Sequence, residues 1–282
     1  MVAVNGVRFH VRSAGPARKR RTTPVLLLHG VPQTSATWGP LMADLAKDRV
    51  VIAPDLKGLG ASEAREPYDI PTLVAELAAL VLHEVDGPVD VVGHDWGGSL
   101  GLALAGERPD LVRRLVVIAA PYRDVDLKAA FHLPLFALPL LPEVAFRLAG
   151  ERLVRTMFDF AWKADGAPPL LDEYVAAYTP PARYGAMLAY YRAAVRPRVA
   201  RAVSSVLGRE APSTGLPRVK VERSLVVWGA DDPPMPLHVG ESVLRDLGES
   251  ATMLTVPGVG HWPHEEAPDV VLPAVAEFLR AP

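Results

Sequence analysis

Val89-Asp90-Val91-Val92-Gly93-His94-Asp95-Trp96-Gly97-Gly98 is the stretch on which the reading of this chain turns. An apolar run that ends in Gly-x-Asp-x-Gly and passes directly into the small-residue segment Ser99 to Glu107 predicts a strand, a sharp turn and a helix. The glycines flanking position 95 let the chain turn tightly, leaving the Asp95 side chain in exposed, strained geometry beside the N-terminal amides of the helix. Comparable elbows carry serine at this point. A carboxylate is a weak nucleophile toward esters, but it can displace a leaving group at an sp3 carbon, giving an alkyl ester that water then cleaves.

Working outward, apolar runs at Val25 to Leu28, Val50 to Ala53, Val89 to Val92 and Leu115 to Ala119 alternate with helical patterns at Ser35 to Lys47, Ile70 to Glu84 and Gly97 to Glu107. The pattern resumes at Leu225 to Trp228 and Thr252 to Val256, with a last helix from Asp269 to Arg280. Such alternation is the signature of a mostly parallel sheet flanked by helices, an α/β fold. Asn5-Gly6 between alternating residues predicts an N-terminal hairpin. From Pro121 to about Leu216 the rhythm breaks into helix-like periodicity with repeated prolines, so the expected division is a core of residues 1–121 and 217–282 and a helical lid of residues 122–216 over the carboxyl ends of the strands.

The chain has 282 residues, half of them hydrophobic, 22% charged, and a net charge of −2. One domain with an insertion accommodates that length. The charge leaves no global field to recruit nucleic acid or an anionic membrane surface. With no cysteine, disulfides, thiolate catalysis and cysteine-built zinc sites are excluded, and the eight histidines show no metal-ligand spacing, so neither a metal nor a cofactor is expected. No secretory segment is legible, which points to the cytoplasm. Phe131 to Phe146, interrupted by Pro134, Pro139 and Pro142, is too short to span a membrane and reads as buried lid structure. Arg18-Lys19-Arg20-Arg21 reads as a solvated loop.

The alkyl ester formed on Asp95 needs a base to activate water. Gly260-His261-Trp262-Pro263-His264 lies just beyond the predicted strand ending at Val256, and the glycine-preceded His261 is the candidate; His264 reads as a surface or supporting histidine. An orienting acid is expected after the preceding strand, in Trp228-Gly229-Ala230-Asp231-Asp232-Pro233. Asp232 fits the usual offset; Asp231 can be a turn residue or helix cap, and the sequence does not fully separate the two as the acid.

HGVP at 29–32, DLKGLGAS at 55–62, GHDWGG at 93–98, WGADD at 228–232 and VGHWPHEE at 259–266 together resemble the epoxide hydrolase and dehalogenase branch of the α/β-hydrolase superfamily. The resemblance covers nearly the whole core. It implies the order nucleophile, acid, histidine, filled here by Asp95, Asp232 and His261, and an oxyanion hole made by the backbone N–H groups of Val31 and Trp96. The 55–62 segment is read as a structural loop without catalytic duty. In the lid, Tyr190-Tyr191-Arg192 resembles the epoxide hydrolase segment whose tyrosine hydrogen-bonds the epoxide oxygen, which carries that role to Tyr191. Ala189-Tyr190 replaces the usual Asn-Trp. His132, ahead of Pro139-Leu140-Leu141-Pro142-Glu143, stands where a second lid tyrosine is usual, and an imidazole N–H can polarise the same oxygen.

The implied activity is conversion of a small hydrophobic epoxide and water to a vicinal diol. A haloacid substrate is disfavoured, because Leu133 stands where such enzymes have tryptophan and Trp96 and Ser99 where they have arginines. A haloalkane dehalogenase would use the same triad with Trp96 solvating the halide, but Val31 offers no side-chain donor. A non-catalytic ligand-binding homologue is the third alternative, opposed by the complete Asp95, Asp232 and His261 set. The apolar lid could also pack against a second copy in a homodimer.

Overall fold

The computed structural model describes residues 1–16, 22–206 and 216–282; the basic run Arg18 to Arg21 lies outside them. The chain opens on the hairpin β1 (Val2–Val4) and β2 (Val7–Phe9), paired antiparallel. Asn5 and Gly6 both take positive φ, 49° and 76°, the conformation that a two-residue hairpin turn requires. Then follow β3 (Val11–Ala14), β4 (Val25–Leu28), a 3-10 turn at Ser35–Trp38, α1 (Gly39–Leu45), β5 (Val51–Pro54), α2 (Ile70–Glu84), β6 (Val89–His94), α3 (Trp96–Glu107) and β7 (Val112–Ile118). Four helices come next: α4 (His132–Ala137), α5 (Leu141–Ala161), α6 (Leu171–Tyr178) and α7 (Pro181–Val206). The chain returns through β8 (Arg223–Gly229), α8 (Leu237–Leu247), β9 (Ala251–Val256), α9 (Pro263–Glu266) and α10 (Pro268–Arg280).

The sheet has the order β3-β5-β4-β6-β7-β8-β9. All neighbours are parallel except β3 with β5. Successive side chains along the strands divide between two cores, as a sheet covered on both faces demands. Leu26, Leu28, Val91, Leu115, Val117, Val226 and Trp228 pack with α2, α3 and α8. Val25, Leu27, Val92, Val116, Ile118 and Val227 pack with α1 and α10 on the other face. The chain is an α/β-hydrolase fold.

Local chemistry explains where the elements begin. Asp69 caps α2 by accepting from the Thr72 N–H at 3.0 Å, with Pro71 in the first turn. The helix α3 is small-residue because it lies close on the strands: a Cβ on Gly97 would overlap the Leu28 carbonyl, and one on Gly101 would come within 3.1 Å of Val91 Cγ1. Among elements that the sequence reading did not name, β3 is four residues without alternation of burial, whereas α8 carries Val239, Val243 and Leu247 at helical spacing, a legible signal.

Phe131 to Phe146 corrects an expectation. Leu133, Pro142 and Phe146 are buried there, but Phe131 is 53% exposed, Leu140 76%, and Leu135, Leu138, Leu141 and Val144 are all exposed. The prolines cut the run into the single turn and a half of α4 and the start of α5, each of which can turn only one side inward. The segment is apolar on both its inner and its outer face.

Because β4 and β6 to β9 are parallel, the segments following them emerge at one edge of the sheet. Val31, Asp95, Asp232 and His261 follow β4, β6, β8 and β9, respectively, so four of the sequence-selected residues share that edge. The chain leaves β7 at the same edge to form α4 to α7.

Candidate active site

The turn after β6 is tighter than its glycines alone suggest. Asp95 itself, and not a glycine, takes the unusual backbone, with φ 47° and ψ −118°. The glycines serve close approach: a Cβ on Gly93 would overlap the Gly97 carbonyl, and one on Gly98 would overlap Ala120. Gly30 acts similarly from the neighbouring loop, where a Cβ would sit 2.8 Å from Asp95 Oδ1. A strained non-glycine residue held this way by its surroundings is a recurring feature of functional sites.

The carboxylate has two distinct oxygens. Asp95 Oδ1 accepts from the Val31 N–H at 2.8 Å. Oδ2 lies 3.7 Å from His261 Nε2, too far for a direct hydrogen bond but within ion-pair range. The other ring nitrogen, Nδ1, is 2.8 Å from Asp232 Oδ2, while Asp232 Oδ1 accepts from the Met235 N–H at 2.9 Å. Asp231 is exposed, and its backbone N–H donates to the Val259 carbonyl, so the geometry separates the two aspartates.

All three groups are buried, and their protonation states are coupled. Burial opposes a charge on His261, yet the Asp232 carboxylate and then Asp95 outweigh it and push the imidazole up to about 10. Burial also raises Asp95, but the positive charge of the nearby His261 and the hydrogen bond from the Val31 N–H bring it below the ordinary carboxylate range. The proton of the resting site therefore sits on His261, between Asp95 and an Asp232 carboxyl that burial raises and the His261 charge lowers.

The opposite wall is neutral. Tyr191, on α7, and His132, at the start of α4, meet edge to face with ring centroids 5.8 Å apart. Burial and the Asp95 charge keep the Tyr191 phenol protonated, its pKa well above the usual value. Burial lowers His132 to about 4. The neighbouring tyrosines are otherwise engaged: the Tyr190 hydroxyl donates to the Lys57 carbonyl at 2.9 Å and Tyr178 to the Gln33 carbonyl at 2.9 Å. Tyr174 donates to Glu265. Trp96 packs edge to face on both Tyr190 and Tyr191.

Two cavities meet at this point. One, of about 350 Å3, runs past Trp96, Ser99, Tyr122 and Leu133. The second, of about 250 Å3, is lined mainly by Phe136, Leu153, Met157, Phe160 and Trp262. Asp95, His132, Tyr191 and Met235 border both. Among the described residues no three His, Asp or Glu side chains form a group that could hold a metal ion, and no helix is long and apolar enough to cross a membrane.

Several residues of the site were not selected from sequence. His94 is buried beneath it, and its Nε2 must carry the proton, because it lies 2.8 Å from the His261 carbonyl, which can only accept. Burial brings His94 down to about 3, so it stays neutral. His264 is fully enclosed, stacked on Trp38 with centroids 4.8 Å apart, and its Nε2 lies 2.9 Å from Thr37 Oγ1. Glu266 binds the backbone of the His261 loop. Asp55 holds the 55–62 loop by accepting from Ser35 and Ala61 N–H groups, each at 2.8 Å.

A model of the Alpha/beta hydrolase family matches residues 25–274. AB hydrolase superfamily protein YfhM of Bacillus subtilis (strain 168) is 27% identical over 300 residues, covering 99% of this chain and 96% of that protein. Epoxide hydrolase 4 of Mus musculus is 25% identical over 296 residues, covering 98% of this chain and 77% of that protein. A solved structure from work on novel epoxide hydrolases of the alpha/beta hydrolases superfamily, in metagenomes from hot environments, superposes with a TM-score of 0.80 at 24% identity, covering 99% of this chain and 96% of that one.

Proposed function

The chain belongs to the alpha/beta hydrolase family, and on that premise we propose that it hydrolyses an apolar epoxide to a vicinal diol. The observation that carries this reading is a buried carboxylate with an ion-paired histidine on one side and two neutral hydrogen-bond donors on the other, all bordering one cavity system. The similarity to Epoxide hydrolase 4 of Mus musculus supports it.

Asp95 Oδ2 attacks a ring carbon, and the C–O bond breaks as Tyr191 and His132 donate hydrogen bonds to the departing oxygen. The alkoxide takes the Tyr191 proton, and the phenol is restored by the proton that His261 gives up. Formation of the ester removes the Asp95 charge, one of the two that hold His261 protonated, so the same event prepares the base. His261, oriented by Asp232, then takes a proton from water as the oxygen attacks Asp95 Cγ. Val31 already contacts Oδ1, and its N–H together with that of Trp96 stabilises the developing oxyanion. Collapse breaks Cγ–Oδ2, the diol oxygen takes the proton from His261, and the new carboxylic acid returns its proton to the imidazole.

The helices α4 to α7 act as a lid in this scheme, supplying both neutral donors and much of the apolar wall. The test is to incubate the protein separately with halogen-free apolar epoxides and simple haloalkanes, and to measure diol and halide. Diol from the first panel without halide from the second is expected. Halide release alone would replace the reading with dehalogenation, Trp96 then solvating the leaving halide.

A further inference from the structure

The loop carrying His261 is held through its backbone at each position, and one side chain supplies much of the hold. Glu266, in the last turn of α9, reaches back so that Oε2 accepts from the Gly260 N–H at 2.8 Å and Oε1 from the Trp262 N–H at 2.9 Å. Between them the His261 N–H donates to the Ala161 carbonyl at 3.0 Å, and the His261 carbonyl accepts from His94. The same Oε2 also accepts from the backbone N–H groups of Lys163 and Ala164, at 2.7 and 3.2 Å, just past the end of α5. One carboxylate thus gathers four main-chain donors from two segments about a hundred residues apart. Packing leaves the two segments no slack, because a Cβ on Gly260 would overlap the Ala161 carbonyl.

We propose that Glu266 is a positioning residue for His261, fixing the loop that carries the base to the end of α5. Met157, Phe160 and Ala161 of that helix line the smaller cavity. The wall that substrate touches and the loop that presents the base are therefore joined at one carboxylate. Hydrogen bonds to a carboxylate are roughly twice as strong as neutral ones, and glutamine at this position cannot reproduce them, since its amide nitrogen would face at least one N–H donor.

This inference rests on the proposed role of His261 and predicts a defect confined to ester hydrolysis. In Glu266→Gln, kcat and KM for an apolar epoxide should fall together by about tenfold. Their ratio, which reports the attack by Asp95, should stay within twofold, and intact mass should show the alkyl ester accumulating. Glu266→Asp, which keeps the charge but withdraws it by one methylene, should show the same split more weakly and stands in if the glutamine variant does not fold. A loss of kcat/KM as large as the loss of kcat, or no change in either, would overturn the proposal.

A second readout needs no substrate. The proton shared by His261 Nδ1 and Asp232 should give a low-field NMR resonance in the native protein and a broadened one in Glu266→Gln; an unaltered resonance would count against positioning. If the native protein leaves epoxides untouched, the functional reading fails, while this resonance still decides the role of Glu266.

Discussion

Asp95 stands between two walls built on different principles. The wall from the sheet edge is charged and fixed by main-chain contacts: His261 lies between Asp232 and Asp95, and its loop is held by Glu266, Ala161 and His94. The wall from α4 and α7 is neutral and apolar, and its polar groups, Tyr191 and His132, sit among aromatic rings. The two walls divide the labour of the proposed reaction. Opening a strained ring calls for donors that do not compete for the attacking carboxylate, whereas cleaving the ester calls for a base of controlled charge. A protonated His132 would pair with Asp95 and weaken it as a nucleophile, and burial prevents that.

The largest effect should come from removing the group that both walls address. Asp95→Ala should lower epoxide turnover by more than about 10,000-fold, measured as diol formed, because no ester can then form. Residual turnover near the native rate would mean that Asp95 is not the nucleophile. The neutral wall should tell next: Tyr191→Phe should slow ester formation by roughly 10- to 100-fold in single-turnover mass measurements, with hydrolysis of preformed ester unchanged. An equal loss in both steps would mean that the walls do not divide the work.

The core half of this arrangement was legible in the sequence because its signals are local. Short motifs at the ends of apolar runs marked Val31, Asp95, Asp232 and His261, and parallel strands bring such ends to one edge. The part that escaped is long-range. The contacts of Glu266 to Lys163 and of His94 to His261 join positions 103 and 167 residues apart, and no local pattern encodes them. Tyr191 and His132 were reached through resemblance, since a run containing Tyr174, Tyr178, Tyr190 and Tyr191 does not itself say which hydroxyl is otherwise engaged. The outward-facing leucines of residues 131–146 show the reverse failure, in which hydrophobicity was read as burial.

Smaller effects would sharpen the electrostatic contrast. In Asp95→Asn, the His261 pKa, followed by NMR titration, should fall below its native value of about 10 because one of two nearby carboxylates is gone. A value that stayed put would mean that ester formation does not release the base. Stability should pass through a maximum near pH 6.5. His261 is raised in the folded state, so its contribution is full below the unfolded pKa of about 6.5 and is lost as pH climbs to about 10. His94 and His132 are lowered to about 3 and about 4, so their contributions are full above about pH 6.5 and are lost as pH falls through that interval. Thermal unfolding should show Tm declining by about 3 °C per pH unit on the alkaline side, where His261 titrates, and about twice as steeply on the acid side, where His94 and His132 both do. A flat profile would contradict the buried-charge account of both walls.

An alkyl ester on Asp95 that only the charged wall can cleave should be trapped in the His261→Gln protein exposed to a halogen-free apolar epoxide, and intact mass with peptide mapping would detect it. The expected result is an adduct on Asp95 equal in mass to the whole epoxide, persisting because its hydrolysis is blocked. An unmodified protein, or an adduct mapping elsewhere, would contradict it.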